Sequence, residues 1–383
     1  MFNVNNMKES IIIKNFGPLK NVEIDEIRLY TFFIGASGSG KSTLLKVMAF
    51  MRWIYKMMCI RSYLYYSGVK SSPFSINFKN YLKSMDMQKF LHGDTYIEYH
   101  CGDFVFIYNN KIRMPQKYVP RHQLSLEKVS FISDKRGVIG DILENNVSLK
   151  KRAFYMNETF DDYLIAADAI RHLEIPSLGV KLQIKKTSNG EKHTIEPIQG
   201  GGFSINLNEA SSGTQASVPL SLIVTYFSTK YNIVESLNDA VFRYASKSDS
   251  LKDFRASSNV GELPHKRVSL FMEEPEISLY PSTQRTLIDG IISSCNSPHD
   301  YTMSIMVATH SPYIINHLNV LLRRKEPAPC IHAEDLSVYH VVEGELQDLM
   351  LQDMDTNEWV VDSTELSEPM ENIFNEYEAL GVR

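Results

Sequence analysis

Four short segments of this chain carry side chains whose types and spacing could handle phosphate. The first, Gly35–Thr43 (GASGSGKST), matches the pattern G-x-x-x-x-G-K-[ST] in full. Gly35 and Gly40 allow the backbone to wrap closely around an anion, with the amides of Ala36, Ser37, Gly38, Ser39 and onward to Ser42 turned inward. The helix that follows adds the positive end of its dipole. In such a cradle Lys41 neutralises the β- and γ-phosphates of ATP, the Ser42 hydroxyl ligates Mg²⁺, and Thr43 completes the loop.

The second segment, Phe271–Glu276 (FMEEPE), sets two carboxylates at the end of an apolar strand. Glu273 takes the position that binds Mg²⁺, usually through water. Glu274 is one residue on, points to the other side and can polarise an attacking water. Glutamate in place of aspartate at the first position is a longer arm, expected to alter the metal geometry. Pro275 ends the strand, and Glu276 reads as loop structure. The third segment, Ala308–Pro312 (ATHSP), follows another buried strand, where His310 can contact a γ-phosphate and report its presence. Pro312 opens the next helix, where its missing N–H costs nothing. The fourth, Ser211–Gln215 (SSGTQ), places a Ser-Gly pair at a helix N-terminus, a second anion site. Alone, it would be a plain helix cap. Beside a complete P-loop it invites a second nucleotide edge.

Strands must aim these groups. Glu9–Phe16, Val22–Ile27 and Leu29–Ile34 read as strands, the last running straight into the glycine loop and a helix from about Lys41. Residues 51–90 read as helical with a break at Ser71–Pro73. Thr95–His100 and Asp103–Tyr108 form a hairpin pattern, as do Val180–Lys186 and Lys192–Pro197 around Ser188–Asn189–Gly190. Val129–Ser133 is a buried strand, Phe160–Leu173 a helix, and the SSGTQ helix extends to about Lys230. Val268–Met272 is the near-continuous apolar run of a central parallel strand. Helix 282–294, strand Met303–Ala308, helix Tyr313–Arg323, strand Ser337–Val342 and a last helix near Glu365–Leu380 complete an α/β alternation. The polar stretch 232–264 reads as a mobile insertion.

Composition narrows the classes. The chain has 383 residues, 43% hydrophobic and 22% charged, enough for a large core. A net charge of −5 provides no global field towards nucleic acid, so any such contact would use local clusters. Those clusters are Lys150–Lys151–Arg152, Lys185–Lys186 and Arg323–Arg324–Lys325, each of which also reads as ordinary solvated surface. Cys59, Cys101, Cys295 and Cys330 form no Cys-x-x-Cys pair, which argues against zinc or a disulfide framework and for a reducing compartment. Val47–Ile60, the most apolar helix candidate, is interrupted by Arg52 and Lys56 and is too short to span a bilayer. With no signal-peptide profile, the expectation is a soluble cytoplasmic protein without membrane contact.

On KNFGPLKN, the P-loop, SSGTQ, EEPE with SLYP, and ATHSPYI, the chain resembles ABC-type ATPases of the SMC/RecF/OLD group. Within that group it is similar to small AAA-family ATP-binding proteins of bacterial anti-phage defence, OLD-like but without a TOPRIM domain. The resemblance implies an α/β fold: an ABC-type P-loop NTPase head with a mixed sheet, flanking helices, an antiparallel β subdomain and helical insertions. It implies one head over 1–383, with a core lobe of about 1–50 and 265–342 and an insertion of about 51–125. A β/helical lobe of about 126–231 carries the signature, followed by the insertion 232–264 and a tail, 343–383. It further implies a homodimer with two ATP molecules sandwiched between P-loop and signature faces, and leaves a higher oligomer open. Ser212, Gly213 and Gln215 of one copy would then serve the nucleotide held by the partner's P-loop, and Ile277–Tyr280 would cross the interface. By the same resemblance, Arg136 sits where relatives often have a basic residue after a core strand, which would sense nucleotide.

Long coiled-coil arms are absent from the pattern. VVEGELQD (Val341–Asp348) and Asp353–Met354–Asp355 resemble TOPRIM pieces only superficially, so an intrinsic nuclease is not expected. The leading expectation is an ATPase switch that controls a separately encoded nuclease or toxin, with partner recognition in the insertions 51–125 and 232–264. The alternatives are a RecF-like ATP-dependent DNA-binding repair factor and a non-hydrolysing scaffold in which Glu273 distorts the metal site.

Overall fold

The computed structural model describes residues 7–69, 77–144, 154–188, 190–236, 238–239 and 263–381. The Lys150–Lys151–Arg152 cluster, the Ser71–Pro73 break and most of 232–264 lie outside the described residues.

Apolar, β-branched runs build one large mixed sheet. Its centre is parallel: Ser125–Ile132 (β7), His265–Glu273 (β12), Thr302–Thr309 (β13), Tyr30–Ile34 (β3) and Leu336–Val342 (β14) lie side by side in that order. The outer half, mostly antiparallel, continues through Glu345–Asp348 (β15), Leu19–Ile24 (β2), Glu9–Phe16 (β1), Leu91–Cys101 (β4), Phe104–Asn109 (β5) and Lys111–Arg113 (β6). The central strands are buried on both faces, which is why they read as unbroken apolar runs. Lys41–Tyr66 (α1) packs across this sheet and is buried on almost every side.

The expected insertion 51–125 takes a different form. Residues 51–66 are the second half of α1, and β4 pairs with β1 from Glu9↔Cys101 to Phe16↔Leu91, so this stretch belongs to the main sheet. Among the described residues, Phe78–Ser84 (α2) is the one separate α-helix within it. Burial is the reason: Tyr99, Phe104 and Phe106 are fully enclosed, and a detached module could not enclose them against this core.

Behind β7 come Ile139–Glu144 (α3) and Phe154–Ala169 (α4). A second, antiparallel sheet follows: His172–Ile175 (β8), Val180–Thr187 (β9), Gly190–Pro197 (β10) and Ile205–Asn206 (β11). Ser212–Thr229 (α5) returns the chain to the core. Pro281–Asn296 (α6) and Pro312–Arg323 (α7) link the later central strands. The Val341–Asp348 segment is the β14–β15 hairpin, and the Asp353 carboxylate accepts from the Asp355 and Thr356 amides as turn structure. A small pair, Met350–Gln352 (β16) with Trp359–Val361 (β17), precedes the last helix, Thr364–Gly381 (α8). On α8, Met370, Ile373, Phe374, Tyr377 and Leu380 share one exposed face. None of the described helices is long and apolar enough to cross a membrane.

The β subdomain carries an acid-sensitive group. His193 is buried with Nδ1 2.7 Å from the Tyr163 hydroxyl, and burial pushes its pKa from 6.5 down to about 4. The unfolded chain takes up this proton near pH 6.5, whereas the folded chain resists it until about pH 4. The contribution to stability is complete above pH 6.5 and is lost as pH falls towards 4, a change of about 3 kcal/mol. Urea midpoints at pH 7.5 and 4.5 should therefore diverge more for the wild type than for His193→Gln.

Candidate functional site

The C-terminal ends of the parallel strands meet along one edge, where open α/β sheets bind ligands. β3 delivers Gly35, β12 delivers Glu274, β13 delivers His310 and β7 delivers Ser133. Sequence placed these groups on separate segments; register alone brings them together. Glu273 pairs with Ala308 in the ladder, and the Glu274 amide donates to the Ala308 carbonyl at 2.8 Å.

The glycine loop is shaped as an anion cradle. Ala36, Ser37 and Gly38 are exposed, and Gly40 caps α1 at φ 112°, where an added Cβ would lie 2.7 Å from Leu19 Cδ2. The Ser39 hydroxyl is buried without a hydrogen-bond partner. Lys41 folds back to donate to the Gly35 and Ala36 carbonyls at 2.8 and 2.9 Å. Burial pushes its pKa down to about 8, against the opposing pull of Glu274 and Glu276. An unpaired donor and a cation resting on its own loop fit a triphosphate, which would supply acceptors to both.

Glu273 is enclosed, and burial raises its pKa against the attraction of Lys46 and a hydrogen bond from Ser42. Lys46 Nζ stands 3.0 Å from Glu273 Oε1. The sequence reading passed over Lys46, although a basic residue one turn beyond Ser42 was visible on the same helix. Ser42 and Glu273 bring a hydroxyl and a buried carboxylate together, the hard oxygen donors that a divalent cation takes, and Lys46 shows that the position holds positive charge. Among the described residues no group of three or more His, Cys, Asp or Glu could hold a metal, so phosphate and water oxygens would complete its shell.

Glu274 sits at φ 43°, a left-handed conformation rare outside glycine, and is about a third exposed. Its Oε1 lies 3.5 Å from His310 Nε2. Glu276, read as loop structure, does more: its Oε1 accepts from both the His310 amide and the Thr309 hydroxyl at 2.7 Å. That carboxylate ties the histidine loop to the acid-pair loop. Ser311 caps α7 through the Ile314 amide, with Pro312 at its first turn.

The signature segment begins α5. Ser211 caps the helix, Ser212 is exposed, and Gln215 Nε2 donates to the Asn208 and Ala210 carbonyls. Gly213 is buried because the helix presses on the loop after Glu274: a Cβ there would come 2.7 Å from the Ser278 carbonyl. No hydrogen bond joins residues 211–215 to residues 35–43 of the same chain. Tyr280, at the end of that loop, is 77% exposed. Arg136 is fully buried and donates to backbone carbonyls. The resemblance implied nucleotide sensing for this residue; its donors here go to backbone carbonyls of the site's own loops and of α5.

A P-loop after β3, an acid pair after β12, a histidine after β13 and a Ser-Gly helix start reached through an antiparallel subdomain give this chain the layout of a P-loop ATPase domain. A family model described as an AAA ATPase domain matches residues 7–95 and 109–315. No curated protein matches. Among solved structures, the SMC head domain from Thermotoga maritima is 13% identical, with a TM-score of 0.39 over 91% of this chain and 100% of that one. A Pyrococcus furiosus Smc head with an extended coiled coil, bound to the C-terminal domain of ScpA, is 12% identical, with a TM-score of 0.37 over 97% and 99%. The recombination mediator RecF of the RecFOR pathway is 10% identical, with a TM-score of 0.37 over 90% and 98%. The family match spans well over half of the sequence and contains all four phosphate-handling segments, so the chain belongs to the AAA ATPase domain family.

Proposed function

We propose that this protein is an ATP-binding and ATP-hydrolysing switch that closes as a head-to-head homodimer and controls a separately encoded effector, a nuclease or toxin of anti-phage defence. One observation carries the dimer: Lys41, Ser42, Glu273, Glu274 and His310 converge on one edge, while the exposed Ser212 end of α5 serves no group of the chain's own P-loop. A second copy turned about a two-fold axis would place that helix end against the γ-phosphate. The exposed Tyr280 suits the loop expected to cross such an interface. Mg²⁺, when bound, would neutralise charge building on the phosphates. Ser42 and Glu273 would hold it, Glu274 would orient and deprotonate the attacking water, and His310 would contact the γ-phosphate. The effector half rests on the resemblance to defence ATPases and on the exposed apolar face of α8, a surface a partner could cover.

Among the described residues, the RecF-like DNA-binding reading has few free charges from the expected clusters to draw on. Arg323 pairs with Glu358 at 3.0 Å and Arg324 with Asp289 at 2.7 Å, which leaves Lys185, Lys186 and Lys325 exposed.

Complementation of two inactive variants tests the shared site. Lys41→Ala removes the phosphate lysine, and Ser212→Arg blocks the signature edge; each alone should abolish turnover. Mixed, they should recover about a quarter of wild-type activity, because half the dimers then hold one intact composite site. Mixtures as inactive as either variant, from proteins that co-purify as dimers, would refute a site shared between chains.

A further inference from the structure

One buried guanidinium joins the two halves of this site. Arg136 follows β7 in a short turn, Asp134–Val138, whose Lys135 amide donates to the Ser133 hydroxyl. Its Nη1 donates to the Glu273 carbonyl at 2.7 Å and the Ser133 carbonyl at 3.1 Å. Nη2 donates to the Glu274 carbonyl at 2.7 Å, and Nε to the Ala216 carbonyl of α5 at 2.9 Å. Burial pushes its pKa down to about 10, with the carboxylates of Glu276 and Asp134 opposing, so it stays cationic at neutral pH.

These carbonyls belong to three separate parts of the chain. Ser133 directly follows the β7 strand, Glu273 and Glu274 are the acid pair, and Ala216 lies one residue beyond SSGTQ. A fully buried cation that spends its donors on backbone is an expensive arrangement unless the geometry it enforces matters. The geometry here is unusual. Glu274 is held at φ 43° from both sides, its amide on Ala308 and its carbonyl on Arg136. On the other flank, Gly213 lies flat against the Ser278 carbonyl of the same loop.

We infer that Arg136 is a positioning residue that makes the acid pair and the signature helix move as one body. A change in the phosphate bound at one copy's Glu273, Glu274 and His310 is thereby passed to the Ser212–Gly213 edge that the same copy presents to its partner. This rests on the ATP reading of the site. It goes beyond that reading by naming the connection between hydrolysis and the dimer face. Lysine cannot replace it, because one ammonium centre cannot fork to carbonyls on three elements.

Backbone hydrogen exchange with adenylyl-imidodiphosphate and Mg²⁺, at concentrations where the protein is monomeric, reads the coupling. In the wild type, residues 35–43, 273–276 and 212–216 should all slow. In Arg136→Lys, slowing at 35–43 should persist while that at 212–216 disappears, and kcat should fall by about tenfold or more with KM within about threefold. Ile184→Ala, in the antiparallel sheet, controls for a loss of stability alone and should keep slowing at 212–216. Arg136→Lys with wild-type turnover, or with slowing at 212–216 retained, would overturn the inference. If the variant does not fold, the wild type still decides: slowing confined to 35–43 means nothing is transmitted. Absence of slowing at 35–43 would remove the ATP reading itself, and the coupling with it.

Discussion

Glu274→Gln is expected to lower the kcat for ATP hydrolysis by about 10²–10⁴-fold while KM changes little. The amide keeps the size and the left-handed backbone of Glu274 but cannot take a proton from water. Lys41, Ser42 and Glu273 are untouched, so the triphosphate still binds. A protein that binds ATP without consuming it should accumulate in its closed form. Light scattering should therefore show an ATP- and Mg²⁺-dependent dimer for Glu274→Gln that Lys41→Ala lacks. Steady-state phosphate release supplies the kinetic half. A Glu274→Gln protein that turns over at more than a tenth of the wild-type rate would reassign the base, and His310, 3.5 Å away, would be the next group to test.

The largest effect on stability is expected at Arg52. This residue of α1 is 2% exposed and bridges partners on three strands, β1, β12 and β13. Its Nε and Nη2 donate to the two carboxylate oxygens of Glu9 at 2.9 Å, and its Nη1 donates to Ser269 and Ser304. Tyr99 and Arg267 complete the shell around Glu9, and Arg267 continues to Glu127. Arg52→Met keeps the apolar stem and removes the fork, leaving Glu9 in a site built for two cations. The expected loss is about 3–5 kcal/mol, the cost of breaking one side of a buried ion pair.

The same network sets the acid limit. Burial acts to raise the pKa of Glu9, yet the nearby Arg52 and Arg267 charges outweigh it and hold the carboxyl at about 2, below its usual 4.5. A carboxylate with a depressed folded pKa adds stability that is complete above pH 4.5 and is lost as pH falls towards 2. Removing Arg52 raises the Glu9 pKa, so Arg52→Met should lose stability in acid at a higher pH than the wild type. Denaturant midpoints from pH 7 to pH 3 measure both effects. Equal midpoints for the two proteins across that range would show the pair to be dispensable.

Legibility differed by element for physical reasons. The strands flanking the P-loop, the hairpins and the helices after β12 and β13 were readable because glycine, proline and alternating apolar residues act locally. Arg52 was not. In the sequence it is a charge interrupting an apolar helix, and its partners Glu9, Ser269 and Ser304 lie far away along the chain. Residues 51–125 looked like an added module for a similar reason: nothing local reveals that Leu91–Cys101 pairs with Glu9–Phe16. Glu276 was dismissed because a carboxylate after proline is ordinary loop chemistry until the Thr309–His310 loop arrives beside it.

The sequence by itself determined the kind of chemistry. Gly35–Thr43, Glu273 with Glu274, and His310 point to a phosphate cradle, an acid pair and a proposed switch, because each pattern needs only its own few residues and the strand end that presents them. Tertiary structure alone decided how these parts act on one another. Parallel register carried the separate segments to one edge, Lys46 came to stand against Glu273, and Arg136 tied Glu273 and Glu274 to the helix of Ser212. Such contacts depend on long-range pairing of buried strands, which no local pattern in the chain encodes.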